Sequence, residues 1–403
     1  MHGRTWAEID LDRLSRNFAR IKAMVGDAKV LAAVKADAYG HGAVQIARRL
    51  EKEGIDFFGV AGVEEGIELR ESGINKPILI LSPLPFDLIP LVFEYNLIPT
   101  LSESAMIERF AQFSKKYGEL EVHVEVDTGM TRTGFSSHLA ADRIRRIFKT
   151  PGLRLGGIFS HFAVAESDPE FTSHQFNLLR SIVDELRADG IHPPLIHIAN
   201  SAGLINFPYS HLDLVRPGLA LYGLVDGFEP ILKLKSRVVN LRRVKKGTGI
   251  SYGLKFRTQR DSHIATISAG YGDGIPRSVS NRGEVMIRGK RAPIVGVVCM
   301  DLFMVDVTDI DGVALNDEVT IIGDELPAYE LAGWANTIVY ELVTNIGPRV
   351  PRLFFEDGKI IEIRDLLKRR YPLTGGHDEK DLPSSAFITP PLRSGAGTRC
   401  QEG

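Results

Sequence analysis

Short runs of β-branched and apolar residues alternate with amphipathic stretches over the first half of the chain. Val30–Val34, Phe57–Val60, Ile78–Leu81, Glu121–Val126, Leu155–Phe159, Ile196–Ala199 and a run near Leu214–Leu221 read as buried strands. Between them, Ala43–Glu53, Glu64–Ser72, Ser104–Tyr117 and Phe171–Asp189 place apolar residues at helical spacing. Strand–helix alternation implies a parallel sheet, and some eight units, counted generously, suit a closed (β/α)8 TIM-like barrel. The period changes after Gly227. Lys235–Val244, His263–Ala269, Glu284–Ile287, Pro293–Val298, Phe303–Val307 and Glu318–Ile322 read as strands joined by Gly- and Asp-containing turns. One helical stretch, Ala328–Ala335, interrupts them.

The pattern therefore predicts an α/β protein: a barrel over residues 8–228, and a mainly-β domain over residues 229–372 joined by residues 1–7. Residues 373–403, rich in Gly, Pro, Ser and charge, read as a tail without fixed structure.

Composition narrows the function classes. Of 403 residues, 44% are hydrophobic and 25% charged, ordinary for a globular protein. Lys and Arg number 49 against 51 Asp and Glu, so a net charge of -2 gives no electrostatic case for nucleic acid or a membrane surface. The two cysteines, Cys299 and Cys400, suggest no disulfide framework and fit a cytoplasmic protein. Met1–Asp10 lacks a signal-peptide pattern, no run is long enough to span a bilayer, and no His/Cys/carboxylate set has metal-ligand spacing.

The chemistry-bearing strings stand at the ends of predicted strands, where a barrel keeps its active site. In Val34-Lys35-Ala36-Asp37-Ala38-Tyr39-Gly40-His41-Gly42, the lysine sits among small residues in an apolar mouth, where its amine can lose its proton and become a nucleophile. A lone lysine at a strand end is more often a surface lysine. Asp127-Thr128-Gly129-Met130-Thr131-Arg132 offers a planar guanidinium suited to anionic partners. His161 closes another strand, a position more often held by a satisfied core residue. Asn200-Ser201-Ala202-Gly203 opens a short helix whose amides and hydroxyl could seat a phosphate. Val215-Arg216-Pro217-Gly218-Leu219-Ala220-Leu221-Tyr222-Gly223 carries an arginine that alone would read as a surface ion pair. In the second half, Tyr252, Tyr271 and Met300 lie in Gly-containing or turn-like strings.

Together these strings, with the opening Trp6-Ala7-Glu8-Ile9-Asp10-Leu11, resemble the alanine racemase family from Thr5 to roughly Leu353. The resemblance implies a pyridoxal 5'-phosphate enzyme of fold type III that interconverts L- and D-alanine and supplies D-alanine for peptidoglycan. It implies that Lys35 carries the cofactor as an internal aldimine. It further implies that Tyr39, His161, Ser201, Arg216, Gly218 and Leu219 contact the cofactor, and that Arg132, Met300 and Tyr271 contact the substrate or narrow its entrance. Racemisation needs a proton group on each face of Cα; the resemblance gives these roles to Lys35 and to Tyr252 of the partner subunit, in a homodimer with shared sites. A phenol is a weak base at neutral pH unless its neighbours help, and His161 and Arg216 are the expected help. An always-charged Arg216 would leave the ring nitrogen unprotonated, weakening the electron sink and favouring reprotonation over transamination.

Two positions depart from the family pattern. Many members have a carbamate-modified lysine where Glu125 stands, so Glu125 is expected to pair directly with Arg132. A tyrosine that contacts phosphate often stands where Pro348 falls, which brings strict alanine preference into question. The nearest alternative is a broader amino-acid racemase of the same fold, acting on serine or basic amino acids. A decarboxylase of similar architecture is disfavoured because Arg216, not an acidic residue, faces the pyridine and no His-Gly-Gly-Gly string occurs. A non-catalytic cofactor-binding barrel would leave Tyr252 and Val298–Asp301 unexplained.

Overall fold

A computed structural model describes residues 3–365; the expected tail, residues 373–403, lies outside the described residues. Strands Lys29–Ala33, Phe57–Val60 and Ile78–Ile80 pair in parallel, with Leu214–Val215 on the far side of the first. Thr100–Leu101, Leu120–Asp127, Leu153–Phe159 and Leu195–His197 form a second parallel set. A bridge between Leu79 and Ile98 joins the sets on one side. On the other, the Asp213 N–H donates to the Ile196 carbonyl at 3.1 Å and the Arg216 N–H to the Ala199 carbonyl at 2.9 Å. The strands thereby close on themselves, the expected TIM-like barrel.

Phe57–Val60 and Ile78–Ile80 are continuous apolar runs because their faces are covered by barrel interior and by helices, whereas Leu120–Asp127 alternates apolar residues with Glu121, His123, Glu125 and Asp127. Leu31, Ala32, Phe58, Val60, Ile78, Leu79 and Ile80 are all fully buried. Thr100–Leu101 was absent from the predicted strands: only two residues pair, and Pro99 before them cannot donate to a ladder. The run near Leu214–Leu221 stops as a strand at Val215, because Pro217 again lacks a donor and Gly218–Gly223 turns. The helices fall at Ala43–Lys52, Val63–Glu71, Ser104–Tyr117 and Pro169–Ala188, within two residues of the predicted bounds.

Thr5–Asp10 pairs antiparallel with Leu232–Val244 and parallel with Arg352–Glu356, so residues 8–10 lie in the C-terminal sheet rather than the barrel. Leu232–Val238 alternates buried and half-buried positions, as a strand with one covered face should. Pro293–Val298 departs from its predicted strand. Ladder pairing with Glu284–Ile287 ends at Pro293, a single bridge joins Ile294 to Val305, and Gly296 takes φ 81° where a Cβ would approach Ser251 and Ile250 within 3 Å. Among the described residues, no helix is long and apolar enough to cross a membrane.

Candidate active site

Lys35 stands two residues beyond the first barrel strand and begins an unusual turn. Ala36, Asp37, Ala38 and Tyr39 all take φ of 50–55° and ψ of 43–52°, four consecutive left-handed residues without a glycine. Each such residue costs roughly 1–2 kcal/mol, so the turn persists only because its surroundings hold it. His41 Nδ1 donates to the carbonyls of Ala38 and Tyr39 at 2.9 and 2.8 Å, and its ring stacks on Tyr222. Gly40 presses against the Val343 carbonyl, where a Cβ would stand at 2.2 Å. The Lys35 amine is pushed down from its ordinary value by burial first, then by the Arg132 and Arg216 charges, with Glu65 opposing.

Arg216 lies buried across the mouth. It donates to His197 Nδ1 and to the Ser160 carbonyl, both at 2.6 Å, and to the Ile198 carbonyl and His161 Nδ1, both at 3.2 Å. Its guanidinium also covers the Phe159 ring at 5.1 Å. Because arginine can only donate, His197 must accept at Nδ1 and carry its proton on Nε2. That proton is aimed at His123 Nδ1, 3.0 Å away. His123 then holds its proton on Nε2, with Glu121 Oε1 at 3.7 Å, beyond hydrogen-bond length. Burial holds His123, His161 and His197 below the ordinary imidazole value, and Arg216 adds to the effect in each. Arg216 itself is lowered to about 10 by burial, so it stays charged at neutral pH.

Ser201 and Tyr39 define a small cradle. Ser201 Oγ accepts from the Gly218 and Ala220 amides at 3.0 and 3.1 Å, which fastens the Asn200 turn to the Gly218 turn. The Gly218 amide thus already has a partner; what the glycine contributes is space, since a Cβ would sit 2.8 Å from the Tyr39 ring and hydroxyl. The Leu219 N–H makes no hydrogen bond among the described residues. Tyr39 also packs against Tyr222 and, edge-on, against Tyr340. Pro348 is exposed in the loop beyond Tyr340.

Asp127 Oδ1 accepts from the Gly129 and Thr131 amides, both at 2.9 Å, folding the loop that carries Arg132. The expected pairing of Glu125 with Arg132 is not found: no ion pair within 4 Å joins them. Glu125 points inward, 4% exposed, with Oε2 unpartnered, whereas Arg132 is exposed. Burial raises the Glu125 carboxyl, opposed by Thr133 and by the Arg132 and Arg216 charges. Gln175, which sequence reasoning missed, steadies the neighbouring loop through Thr128 Oγ1, the His161 carbonyl and the Ala163 amide.

Tyr252, Tyr271 and Met300 gather elsewhere, on the β half. The Tyr271 amide donates to the Cys299 carbonyl at 3.0 Å, the Gly272 amide to the Met300 carbonyl at 2.9 Å, and Ser251 Oγ to the Val297 carbonyl at 2.6 Å. Their side chains are 70%, 44% and 53% exposed. Among the described residues, no hydrogen bond, ion pair or ring contact joins them to Lys35, Arg132, His161 or Arg216. One chain therefore holds two incomplete halves of the predicted site.

Comparison with known proteins matches both parts of the chain to one family. Residues 9–226 match the family model for the N-terminal domain of alanine racemase, and residues 231–354 match that for its C-terminal domain. An alanine racemase of Thermodesulfovibrio yellowstonii is 45% identical over 359 residues, covering 86% of this chain and 97% of that one. One from Halothermothrix orenii is 41% identical over 363 residues, with 86% and 96% coverage. Among solved structures, the Clostridium difficile alanine racemase superimposes with a TM-score of 0.87 at 36% identity, covering 91% of this chain and 99% of that one. The Bacillus anthracis alanine racemase with bound L-Ala-P gives a TM-score of 0.86 at 34% identity, with 92% and 99% coverage.

Proposed function

The chain belongs to the alanine racemase family of pyridoxal-phosphate-dependent isomerases, and from that membership we propose that it interconverts L- and D-alanine at a site completed by a second copy of itself. The observation that carries the reading is the half-buried Lys35, just beyond a barrel strand end, its amine pushed down by burial and by the Arg132 and Arg216 charges.

Pyridoxal 5'-phosphate fits the residues present. The Arg132 and Arg216 guanidinium groups suit an anionic ligand, and the Leu219 amide, which makes no hydrogen bond among the described residues, lies in the turn that the Ser201 hydroxyl fastens. Lys35 would hold its carbonyl carbon and Arg216 its ring nitrogen, with His161 beside the ring. Tyr39, Ser201, Leu219 and the close backbone at Gly218 would hold its phosphate. When bound, the cofactor supplies an electron sink that acidifies the Cα proton of an amino acid joined to it.

The chain's own groups do the rest. Arg132 grips the substrate carboxylate, aided by the amide of Met300 of the partner subunit, while the partner subunit's Tyr271 narrows the entrance. Lys35 exchanges a proton with one face of Cα and the partner subunit's Tyr252 with the other. Arg216, fixed as a permanent cation by four acceptors, keeps a proton off the ring nitrogen and so steers the proton back to Cα. The exposure of Tyr252 and Met300 in the single chain supports a homodimer, because a patch with such residues is ordinarily covered. Family membership supports reading it as a cytoplasmic enzyme whose D-alanine enters peptidoglycan.

A broader amino-acid racemase is the second reading, favoured by two observations: Pro348 offers no hydroxyl, and Glu125 leaves Arg132 unpaired. The test is optical. Purified protein should be yellow with pyridoxal phosphate, and L-alanine should lose its rotation until both enantiomers are equal. Serine, lysine and arginine run alongside decide the breadth. A yellow protein that racemises none of them would refute the reading.

A further inference from the structure

The left-handed turn after Lys35 is held from the far end of the chain. We propose that the Asp37–Arg364 ion pair is a positioning device, locking Ala36–Tyr39 in the left-handed conformation that sets Lys35 and Tyr39 for the cofactor. The proposal rests on the reading of those two residues as cofactor contacts.

Asp37 is the second residue of the turn, and its carboxylate works in two directions. Oδ1 accepts from the Ala43 amide at 2.9 Å, tying the turn to the following helix. Both carboxylate oxygens also meet Arg364, Oδ1 at 2.8 Å and Oδ2 through the second guanidinium nitrogen. Arg364 ends strand Lys359–Arg364, the edge strand of the β sheet. A paired fork of this kind fixes direction as well as distance.

A second arginine from the same sheet supports the turn's exit. Arg352 Nε donates to the Gly40 carbonyl at 3.1 Å, and its other nitrogens reach the carbonyls of Ile346, Gly347 and Val350 at 2.6–2.7 Å. Arg352 is fully buried and holds several loops at once, so its loss would disturb the fold broadly. Arg364 is partly exposed and is aimed at Asp37, which makes it the cleaner probe.

The turn has little freedom to move without consequence. Its last residue, Tyr39, packs against Gly218 with no room for a Cβ between them, and Gly40 abuts the Val343 carbonyl. A relaxation of Ala36–Ala38 toward the right-handed basin would therefore shift Lys35 and Tyr39 together. Nothing in the local sequence favours the observed conformation, since none of the four residues is glycine. The force that holds it must come from tertiary contacts, and Asp37 is the turn residue whose side chain makes an ion pair.

The test uses Arg364→Gln, Arg364→Lys and the double variant Arg364→Gln/Ala36→Gly. Ala36 is exposed, so removing its methyl loses no packing, and glycine enters the left-handed region freely. Two quantities are read: hydrogen exchange of the Ala38, His41, Gly42 and Ala43 amides in cofactor-free protein, and pyridoxal phosphate affinity by titration of its visible absorbance. Arg364→Gln should speed exchange about tenfold or more and weaken cofactor binding comparably. Arg364→Lys should recover part, and Ala36→Gly should reverse both effects. Unchanged exchange in Arg364→Gln overturns the proposal. So does faster exchange that merely follows a lowered denaturation midpoint, or that Ala36→Gly fails to reverse. A wild-type protein that binds no pyridoxal phosphate would instead sink the proposed function, while the exchange result still decides the clamp.

Discussion

Replacing His197 with Phe isolates what the buried histidine pair does for Arg216. The ring would keep its stack on Phe159, now 4.9 Å between centroids at 13°, so little packing is lost. What disappears is the acceptor for Arg216 Nη1 at 2.6 Å and the donor to His123 Nδ1 at 3.0 Å. A hydrogen bond from a charged group contributes about 1.5–3 kcal/mol, and a buried acceptor left bare costs about 1–3 kcal/mol. Arg216 retains the Ser160 and Ile198 carbonyls and His161, which holds the total to about 3–4 kcal/mol. Urea denaturation of cofactor-free protein reads this as a lowered midpoint at constant slope. The double variant His123→Phe/His197→Phe removes both ends of the second bond. It should lose at least about 1 kcal/mol less than the sum of the single variants. A His197→Phe protein within about 0.5 kcal/mol of wild type, or strictly additive variants, would refute the directed chain from Arg216 through His197 to His123.

Acid should weaken the fold steeply. His41, His123, His161 and His197 are all held below the ordinary imidazole value by burial, His41 at about 4. Below about pH 6.5 the unfolded chain takes up protons that the folded chain refuses, so this stability is complete above that pH and declines as pH falls, approaching about 1.4 kcal/mol per unit for each histidine. Glu125, raised by burial, opposes the trend by one proton at most. Denaturation midpoints that stay level between about pH 7 and 5 would contradict this. The shared site can be tested by mixing: Lys35→Ala and Tyr252→Phe proteins should each be inactive, and unfolding and refolding them together should restore about a quarter of the sites, those of mixed dimers that pair both wild-type residues. No recovery would place both residues in one subunit's site.

What the sequence disclosed and what it concealed follow from the range of the contacts. Barrel strands were legible because a buried parallel strand is a continuous apolar run, and Phe57–Val60 and Ile78–Ile80 display it over their whole length. Thr100–Leu101 was not, since two residues cannot show a period. Pro293–Val298 misled because an apolar run around Gly296 packs as a loop while still looking like a strand. At the site, Lys35, Arg132, His161, Ser201 and Arg216 were legible one by one, each announced by a local string at a strand end. Their partners were not. His197 lies 19 residues from Arg216 and 74 from His123, and Asp37 lies 327 from Arg364, separations at which no local pattern remains. Glu125 was misjudged for a related reason: it occupies the expected position, but its strand directs the side chain into the barrel while Arg132 leaves on a loop turned by Asp127. The same logic reaches Lys35. Local sequence placed it at a strand end, yet the conformation that carries it into Tyr39 is one that alanine, aspartate and tyrosine disfavour. Both arginines that hold this turn come from the final strands of the β sheet, so the geometry of the Lys35 turn depends on contacts from the far end of the described chain.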